Sequence, residues 1–308
     1  MPHVWTPDVV IDERLARAVV AQQFPELAGL PVRVFDAGWD NLVVAVGDAW
    51  LFRFVHREIA LPGARHELAV LRHLADRFEV PIPHPRWLGS PTAEVPWPFW
   101  GARALPGVEL ARAGVEDAAR GAVARAAGTL LRALHAPDLA RETTAALARD
   151  GLTLRADPNR RADPTTVTAR ARAALADLGD PALTADAEGV LAAVERLPPP
   201  GPEASVLVHG DLHVRHLLVA DGRLTGVIDW GDVALADPCV DLMAAYGAFD
   251  GAARAAFLDA YGDVPEDRAL RARAVAVRVH ASLAHQAGVD GLDAVHREAV
   301  AAIRRATR

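Results

Sequence analysis

Residues 206–242 constrain this 308-residue chain more than any other part of its sequence. They contain an HGD triplet that ends in Asp211 and, eighteen residues later, Asp229 at the end of an apolar run. An Asp-Gly pair at residues 221–222 divides the segment between them into two short runs rich in leucine and β-branched residues. Asp-Gly supplies the positive φ values of a tight two-residue turn, so the pattern predicts a β-hairpin. Such a hairpin brings the two carboxylates into one site.

Two carboxylates in one site suit phosphoryl transfer, in which one orients a hydroxyl nucleophile and the other holds magnesium on nucleotide phosphates. Asp211 is the candidate catalytic base. Asp229 is the candidate metal ligand, because a carboxylate that ends an apolar strand needs a charged partner or a metal. The alternatives are a capping role for Asp211 and an exposed turn position for Asp229.

The sequences HGDLH, VIDW and ADPCVDL, together with the hairpin, resemble the catalytic block of aminoglycoside and macrolide phosphotransferases. The resemblance is dense over residues 206–242 and looser elsewhere. It implies an α+β, two-lobed protein-kinase-like fold, with a small antiparallel-sheet N-terminal lobe and a mostly helical C-terminal lobe. It implies transfer of a γ-phosphate from ATP or GTP, with Mg²⁺, to a hydroxyl of a small molecule, foremost an antibiotic. A metabolic small-molecule kinase and a catalytically inactive binding protein of the same fold stay open as alternatives.

His216 departs from the commoner pattern of these phosphotransferases. Most of them have asparagine five residues after the catalytic aspartate, where the amide binds a second magnesium, whereas macrolide phosphotransferases resemble this chain in having histidine. A neutral imidazole can bind a divalent ion, although magnesium prefers oxygen. We therefore expect His216 to contact the metal, with a role in orienting Asp211 or in packing under the hairpin as the alternatives.

The resemblance also implies a nucleotide-binding set in the first part of the chain. Arg53 stands where the family has a basic residue on the third strand, and Glu67 on the next helix is its expected partner. All 33 basic residues are arginine, so a cation at this place must be arginine. Arg57 and Arg65 are rivals for the same contact. Gly38 lies in a segment, residues 35–41, that resembles the family's nucleotide-covering loop.

Other residues of the catalytic block are expected to be structural. The resemblance implies that buried His209 hydrogen-bonds the backbone around the metal-binding segment. Asp237 starts a helix, and Asp241 is expected to be a buried carboxylate that ties this helix to the catalytic loop. Cys239, the single cysteine, has no basic neighbour in the motif to activate it and is expected to be inert.

Apolar periodicity and turn residues predict the order of the elements. We expect a helix over residues 11–25, three strands at 31–35, 41–46 and 49–55, a helix over 64–78, and two strands near 86–88 and 99–105. Helices are predicted over 115–135, 165–179 and 184–196, with an exposed loop at 150–164 and helices after Asp241. The predicted boundary lies after residue 105, between a nucleotide-binding lobe (1–105) and a lobe with the catalytic loop and substrate pocket (106–308).

Composition narrows the class of protein. No apolar run is long enough for a membrane span, and the first residues lack the features of a signal peptide. The single cysteine excludes an internal disulfide, so we expect a cytoplasmic protein. The formal net charge of −7 argues against general binding to nucleic acid and is compatible with a cationic substrate. We expect no membrane partner and a monomer or dimer.

Overall fold

The computed structural model of the chain describes residues 7–38 and 40–308. Two compact units divide it. Met1–Arg77 and Ile82–Leu105 form the first unit, and Phe78–Pro81 and Pro106–Arg308 form the second. None of the described helices combines the length and the apolar character that a membrane span requires.

The first unit is a five-stranded sheet with two helices. The strands run in the order β1-β2-β3-β5-β4, and every neighbouring pair is antiparallel. This confirms the predicted meander, helix and two further strands. The elements are α1 (Glu13–Gln23), β1 (Val32–Ala37), β2 (Asn41–Val46), β3 (Trp50–Val55), α2 (Leu61–Leu74), β4 (Pro85–Gly89) and β5 (Phe99–Arg103).

Alternation along β3 decides which side chains form the core of this unit. Phe52 and Phe54 are fully buried and pack against Phe99, with Phe54 and Phe99 stacked at 4.6 Å between ring centroids. Arg53 lies between them and points to the other face of the sheet, because successive strand residues alternate. Gly101 gives Phe52 its space, since a Cβ there would lie 2.5 Å from the phenyl ring. The strand therefore buries its aromatic face and presents one arginine.

The second unit is mostly helical and carries five short strands. Its strands form two small sheets, ordered β6-β8-β9 and β10-β7. Its elements are β6 (Val108–Glu109), α3 (Gly121–Leu134), α4 (Pro137–Arg149), α5 (Pro164–Leu178), α6 (Pro181–Glu195), β7 (Val206–Val208), β8 (Leu217–Ala220), β9 (Arg223–Val227), β10 (Ala234–Ala236), α7 (Cys239–Gly247), α8 (Gly251–Tyr261), α9 (Glu266–Val289) and α10 (Asp293–Thr307).

The hairpin predicted from the sequence is present. Strands β8 and β9 are antiparallel, and Ala220 pairs with Arg223 across the turn. The turn residues Asp221 and Gly222 have φ values of +49° and +70°. Positive φ at both central residues matches the right-handed twist of the strands, which is why Asp-Gly serves here.

Helix α4 is the main difference from the predicted elements, which include no helix over residues 137–149. The preceding helix ends before Pro137, and Pro137 occupies the first turn of α4, where proline loses nothing because that N–H has no partner within a helix. The helix then buries Leu139, Thr143 and Leu147. A proline between two helical patterns can therefore both end one helix and begin the next.

The long helix α9 organises the second unit by packing against α5, α7 and α10. Helix α7 is buried along its whole length. The acidic residue Asp241 is one of its buried members, so the helix carries a carboxylate into the core directly beneath the HGD segment.

Candidate active site

The HGD segment leaves strand β7 and lies beside the segment that enters β10. These two strands are antiparallel, with Val208 opposite Ala234, so the residues just beyond them are neighbours. Gly210 has φ of +90°, and a Cβ on it would lie 2.2 Å from the carbonyl oxygen of Asp232. Glycine is required at this place for both reasons. The turn it makes directs Asp211 toward Asp232.

Asp241 holds the backbone of this turn from below. Its Oδ2 accepts the N–H of His209 at 2.7 Å, and its Oδ1 accepts that of Gly210 at 2.9 Å. His135 Nε2 donates to Oδ2 at 3.1 Å, and His135 Nδ1 lies 2.9 Å from the hydroxyl of Tyr261. Burial acts to raise the pKa of Asp241, but the His135 hydrogen bond and charge outweigh it and hold that pKa below its ordinary value.

His209 connects the two carboxylate-bearing segments. Burial lowers the pKa of His209, so its imidazole is neutral. Its Nε2 donates to the carbonyl of Ile228 at 3.0 Å, and its Nδ1 accepts the N–H of Asp211 at 3.3 Å. The ring thus joins Asp211 to the residue that precedes Asp229. The family resemblance implied such a bond from His209 to the backbone beside the candidate metal ligand Asp229.

Asp229 follows strand β9 in a left-handed conformation, with φ of +65°. Asp is among the few residues that tolerate this region, at a cost of about 1 kcal/mol. Its side chain is 53% exposed, and its Oδ2 lies 3.3 Å from His216 Nε2. The strained turn therefore places the carboxylate beside an imidazole nitrogen rather than leaving it as a plain turn residue.

The two ring nitrogens of His216 differ: Nδ1 is hydrogen-bonded to the backbone, and Nε2 faces Asp229. Its Nδ1 lies 2.7 Å from the backbone oxygen of Asp211, which can only accept, so Nδ1 carries the proton. In the neutral ring, Nε2 then presents a lone pair toward Asp229. One nitrogen and one carboxylate oxygen facing each other at this distance fit a divalent cation between them. The donor set of His216 and Asp229 is thus chemically suited to a metal.

His213 was not singled out in the sequence, although it belongs to the same turn. Its ring stacks on that of His216 with 3.9 Å between centroids, and its Nε2 lies 3.5 Å from Asp211 Oδ2. Its Nδ1 accepts the N–H of Arg215, so Nε2 carries the proton. Burial, and then the neighbouring charge of His216, hold the pKa of His213 well below its ordinary value.

Asp211, His213 and His216 lie close enough together to suggest a three-ligand metal site. Their orientation argues against it. A metal lies in the plane of the imidazole that binds it, and two stacked rings share no such plane. His213 Nε2 thus lies beside Asp211 at 3.5 Å, while His216 Nε2 faces Asp229.

Arg161 is the second residue that sequence reasoning missed. Its Nη2 lies 3.3 Å from Asp211 Oδ1 and 2.9 Å from Asp232 Oδ2. It comes from the loop before α5, which was predicted to be exposed and carries no motif. No signal in the sequence marks this arginine, whereas the HVRH spacing after Asp211 could have marked His213.

The first unit brings together the residues proposed for nucleotide binding. Arg53 Nη1 lies 2.7 Å from the Glu67 carboxylate, and Glu67 is 5% exposed. Arg57 instead pairs with Asp40 at 2.9 Å, and exposed Arg65 makes no ion pair within residues 7–38 and 40–308. The Nε of Arg53 is buried and meets no acceptor in that part of the chain. The Arg53 side chain as a whole is 29% exposed, so a ligand can reach part of it.

Gly38 lies in the turn between β1 and β2, where its N–H donates to the carbonyl of Asn41 at 3.0 Å. Its φ is not positive, so the backbone does not require glycine here. Trp39, in the same covering segment, lies outside the described residues.

Comparison with known proteins finds similar structures over nearly the whole chain. The chain resembles APH(2″)-IIIa, solved with GDP and kanamycin, with a TM-score of 0.66 and 21% identity over 94% of this chain and 97% of that one. It resembles macrolide 2′-phosphotransferase MphH from Brachybacterium faecium with a TM-score of 0.60 and 27% identity over 95% and 97%. An uncharacterized protein, YcbJ of Bacillus subtilis (strain 168), is 46% identical over 43 residues, which span 14% of each chain.

The solved neighbours confirm the kinase-like fold that the resemblance implied, with its antiparallel sheet and its helical C-terminal part. A family model described as "Phosphotransferase enzyme family" matches residues 31–275, which include the Arg53–Glu67 pair and the whole HGD-to-Asp241 segment. The chain therefore belongs to this family and is a phosphotransferase.

Proposed function

We propose that this phosphotransferase moves the γ-phosphate of ATP or GTP to a hydroxyl group of a small molecule. The observation that carries the proposal is the arrangement of one short hairpin. It holds Asp211 before its first strand and Asp229 after its second, with His216 bonded to the backbone of the first and 3.3 Å from the second. This is the division between base and metal ligand that phosphoryl transfer requires.

Asp211 is the proposed base that accepts the proton of the acceptor hydroxyl. Its carboxylate is held from two sides, by the His213 Nε2–H at Oδ2 and by Arg161 Nη2 at Oδ1. A carboxylate fixed in this way orients a hydroxyl without searching rotamers at the moment of transfer. Its backbone is fixed as well, because Asp241 and His209 bind the turn that carries it.

His216 Nε2 and Asp229 Oδ2 are the proposed ligands of Mg²⁺. When bound, the metal supplies charge neutralisation for the β- and γ-phosphate oxygens. The protein's part is to hold both ligand atoms in place. The Asp211 carbonyl fixes the His216 tautomer, and His209 fixes the backbone before Asp229.

Arg53 is the proposed contact to the nucleotide phosphates, oriented by Glu67. A guanidinium can bridge a carboxylate and a phosphate because its planar fork has five donors. Gly38 belongs to the proposed covering loop. Residues 1–105 would then form the nucleotide-binding lobe and residues 106–308 the lobe with catalytic loop and substrate pocket. Because similar structures contain GDP, ADP or ATP, both donors need testing.

The names of the solved neighbours, which are aminoglycoside and macrolide phosphotransferases, support antibiotics as the first candidates among acceptors. A metabolic small-molecule kinase is the second candidate, and it is favoured by Arg161, 3.3 Å from Asp211, which suits an acidic acceptor better than a polycation. We infer a cytoplasmic enzyme, because the nucleotide donors are found there, and a monomer or dimer.

The test is a screen with ATP and GTP. The purified protein is mixed with each nucleotide, Mg²⁺ and a panel of hydroxylated antibiotics, sugars and hydroxy acids, and release of the diphosphate is followed. A positive acceptor must also gain the mass of one phosphoryl group. Asp211→Asn is the matched control, since it keeps the shape and removes the base. If diphosphate release depends on no acceptor, or is equal in Asp211→Asn, the proposed function is wrong.

A further inference from the structure

Arg53 is held by a second contact besides its ion pair with Glu67. On the neighbouring strand β5, Trp100 lies directly opposite Arg53 in the antiparallel register, where side chains are close enough to interact. The guanidinium carbon of Arg53 lies over the Trp100 ring, 5.7 Å from its centroid. A cation within about 6 Å of an aromatic ring centroid is attracted to the face of the ring, and tryptophan attracts it most strongly.

Helix α2 fixes both partners of this arginine. Trp100 is buried and packs with Val55 and Ala64 in one apolar cluster. Ala64 and Glu67 are three positions apart on α2, so they lie on the same face of the helix. One face of α2 therefore covers the Trp100 ring and brings the Glu67 carboxylate to Arg53. Both contacts are in place before a nucleotide binds.

The two contacts leave one end of the guanidinium open. Arg53 Nη1 lies 2.7 Å from both carboxylate oxygens of Glu67. Nη2 has no acceptor within residues 7–38 and 40–308 and, unlike Nε, is not enclosed. The guanidinium is planar and rigid, so fixing its Nη1 end and its face also fixes the direction in which Nη2 donates. Nη2 is thus a preset donor for an incoming phosphate oxygen.

A second arginine–tryptophan pair on the same two strands lacks this arrangement. Arg103 on β5 lies over the ring of Trp50 on β3, 5.9 Å from its centroid, and the two are also directly opposite in register. Trp50 comes three residues before Arg53, so it lies on the other face of the sheet, against the aromatic core. Arg103 is exposed and makes no ion pair in the described part of the chain. Arg53, by contrast, combines an aromatic face, a carboxylate and an open donor.

We propose that Trp100 is a positioning residue for nucleotide binding, which holds the Arg53 guanidinium in the orientation that receives a phosphate of the donor. This role rests on the proposed function, in which Arg53 contacts the nucleotide phosphates. It also gives a reason why arginine serves at this place in a chain without lysine. A guanidinium has a flat face that stacks on a ring while its edge donates to two acceptors, whereas an ammonium has no such face.

A binding experiment tests this role without any acceptor. The non-hydrolysable β,γ-imido analogues of ATP and GTP are titrated calorimetrically, with Mg²⁺, into the parent, Trp100→Leu, Arg53→Ala and the double variant. Trp100→Leu should raise the Kd of the bound analogue by about 3- to 30-fold, the range of one partly buried cation–π contact. The same substitution in the Arg53→Ala protein should change the Kd by less than about 2-fold, because the group that Trp100 positions is gone. Equal effects of Trp100→Leu in both backgrounds would overturn the proposal.

Two further variants separate positioning from a general loss of packing. Trp50→Leu removes the other arginine–tryptophan pair of the sheet, so it should lower the Tm and leave the Kd within about 2-fold of the parent value. Trp100→Phe keeps a ring that attracts a cation less strongly and replaces Trp100→Leu if that variant does not fold. It should raise the Kd by about 2- to 5-fold, again only when Arg53 is present. A folded Trp100 variant that binds as tightly as the parent would contradict the proposal.

Failure of this role and failure of the proposed function are distinguishable. If an acceptor is phosphorylated and Arg53→Ala weakens nucleotide binding, but Trp100→Leu binds like the parent, the phosphotransferase function stands and the role of Trp100 is wrong. If the coupling between Trp100 and Arg53 is found but no acceptor is phosphorylated, the role stands and the proposed transfer reaction is wrong. If Arg53→Ala binds like the parent, the nucleotide contact of Arg53 is wrong, and the role of Trp100 with it.

Discussion

Two groups of buried arginines in the second unit differ in one respect, the completeness of their partners. In the closed network, Arg120 and Arg305 share Glu298, and each also donates to a backbone carbonyl. Arg305 further bonds Asp117. In the open cluster, which consists of Arg161, Asp211 and Asp232, one arginine nitrogen serves both carboxylates, and the buried Nε of Arg161 has no acceptor among the described residues. The first arrangement is that of a structural joint, whereas the second has fewer bonds than its polar groups could make.

The difference matters because Arg120, Arg305 and Arg161 are all buried, with side chains 3%, 5% and 11% exposed, and carry the same chemical group. The closed network joins three parts of the chain that are far apart in sequence: α10, the segment before α3 and the segment after α7. Its charges are matched, so it stabilises the fold and has no donor to offer a ligand. The open cluster lies at Asp211. If every polar group there were paired within the protein, none would remain to bind a substrate.

The largest effect is expected at Asp211 itself. Asp211→Asn should lower kcat by about 10² to 10⁴, because it removes the base that acts on the acceptor hydroxyl. Nucleotide affinity and Tm should change little, since the carboxylate is not a core group. Steady-state kinetics with the acceptor found in the screen measures this. Retention of most of the turnover would remove Asp211 from the mechanism.

A substitution in the closed network should lower the stability of the fold and leave the catalytic activity unchanged. Arg120→Met leaves two backbone carbonyls without their donor and Glu298 with Arg305 alone, and it should lower the free energy of unfolding by about 3 to 5 kcal/mol. Activity per folded molecule should be kept. Arg125→Met, at an exposed arginine on α3, is the control. Urea unfolding measures both, and a loss in Arg120→Met no larger than in the control would contradict the structural role.

Acid should weaken the core beside the closed network through His280. Burial lowers the pKa of His280 to about 4, below the unfolded value of about 6.5. Between pH 6.5 and 4, His280 is therefore protonated in the unfolded chain but not in the folded one. This difference has no effect above pH 6.5. It lowers the free energy of unfolding progressively as pH falls from 6.5 to 4, by about 3 kcal/mol at the lower end.

His280→Gln should accordingly flatten the fall of stability between pH 6.5 and 4. His285→Gln, at an exposed position on the same helix, should retain the parent's profile. Urea unfolding at a series of pH values gives the comparison. Parallel curves for the parent and His280→Gln would show that this imidazole takes up its proton equally in both states.

The smallest effect is expected at Arg53. Like Arg161 in the open cluster, it has a buried Nε without an acceptor among the described residues. Arg53→Ala should weaken nucleotide binding, Glu67→Ala should weaken it less, and the double variant should fall short of the sum by about 0.5 to 2 kcal/mol. Calorimetric binding of the nucleotide to the four proteins measures this coupling. Additive effects would show that Arg53 and Glu67 do not act together in nucleotide binding. Arg57 and Arg65 would then be the candidates for the phosphate contact.

Local patterns predicted the parts of the site that lie along one stretch of chain. The Asp-Gly turn, the positions of Asp211 and Asp229 around it, and a buried Asp241 follow from residues 206–242. The family resemblance singled out Arg53 on β3, and strand alternation explains why it points away from the aromatic face. In each case the decisive interaction is either local or repeats with the period of a strand.

The rest could not be predicted because it depends on distant contacts. Arg161 reaches Asp211 across 50 positions of the sequence, through a loop whose conformation is set by pairing with β10. His135, at the C-terminal end of α3, reaches Asp241 across 106 positions of the sequence. No periodicity or motif marks such residues, since their positions result from how helices pack rather than from their neighbours in sequence.

One calorimetric comparison tests the central claim, that Asp211 serves the acceptor and Asp229 the metal. Binding of the nucleotide is titrated with and without Mg²⁺ for the parent, Asp229→Asn and Asp211→Asn. The account predicts that Mg²⁺ strengthens binding to the parent and to Asp211→Asn equally, and that Asp229→Asn loses this gain. Equal Mg²⁺ dependence in Asp229→Asn and the parent would contradict it.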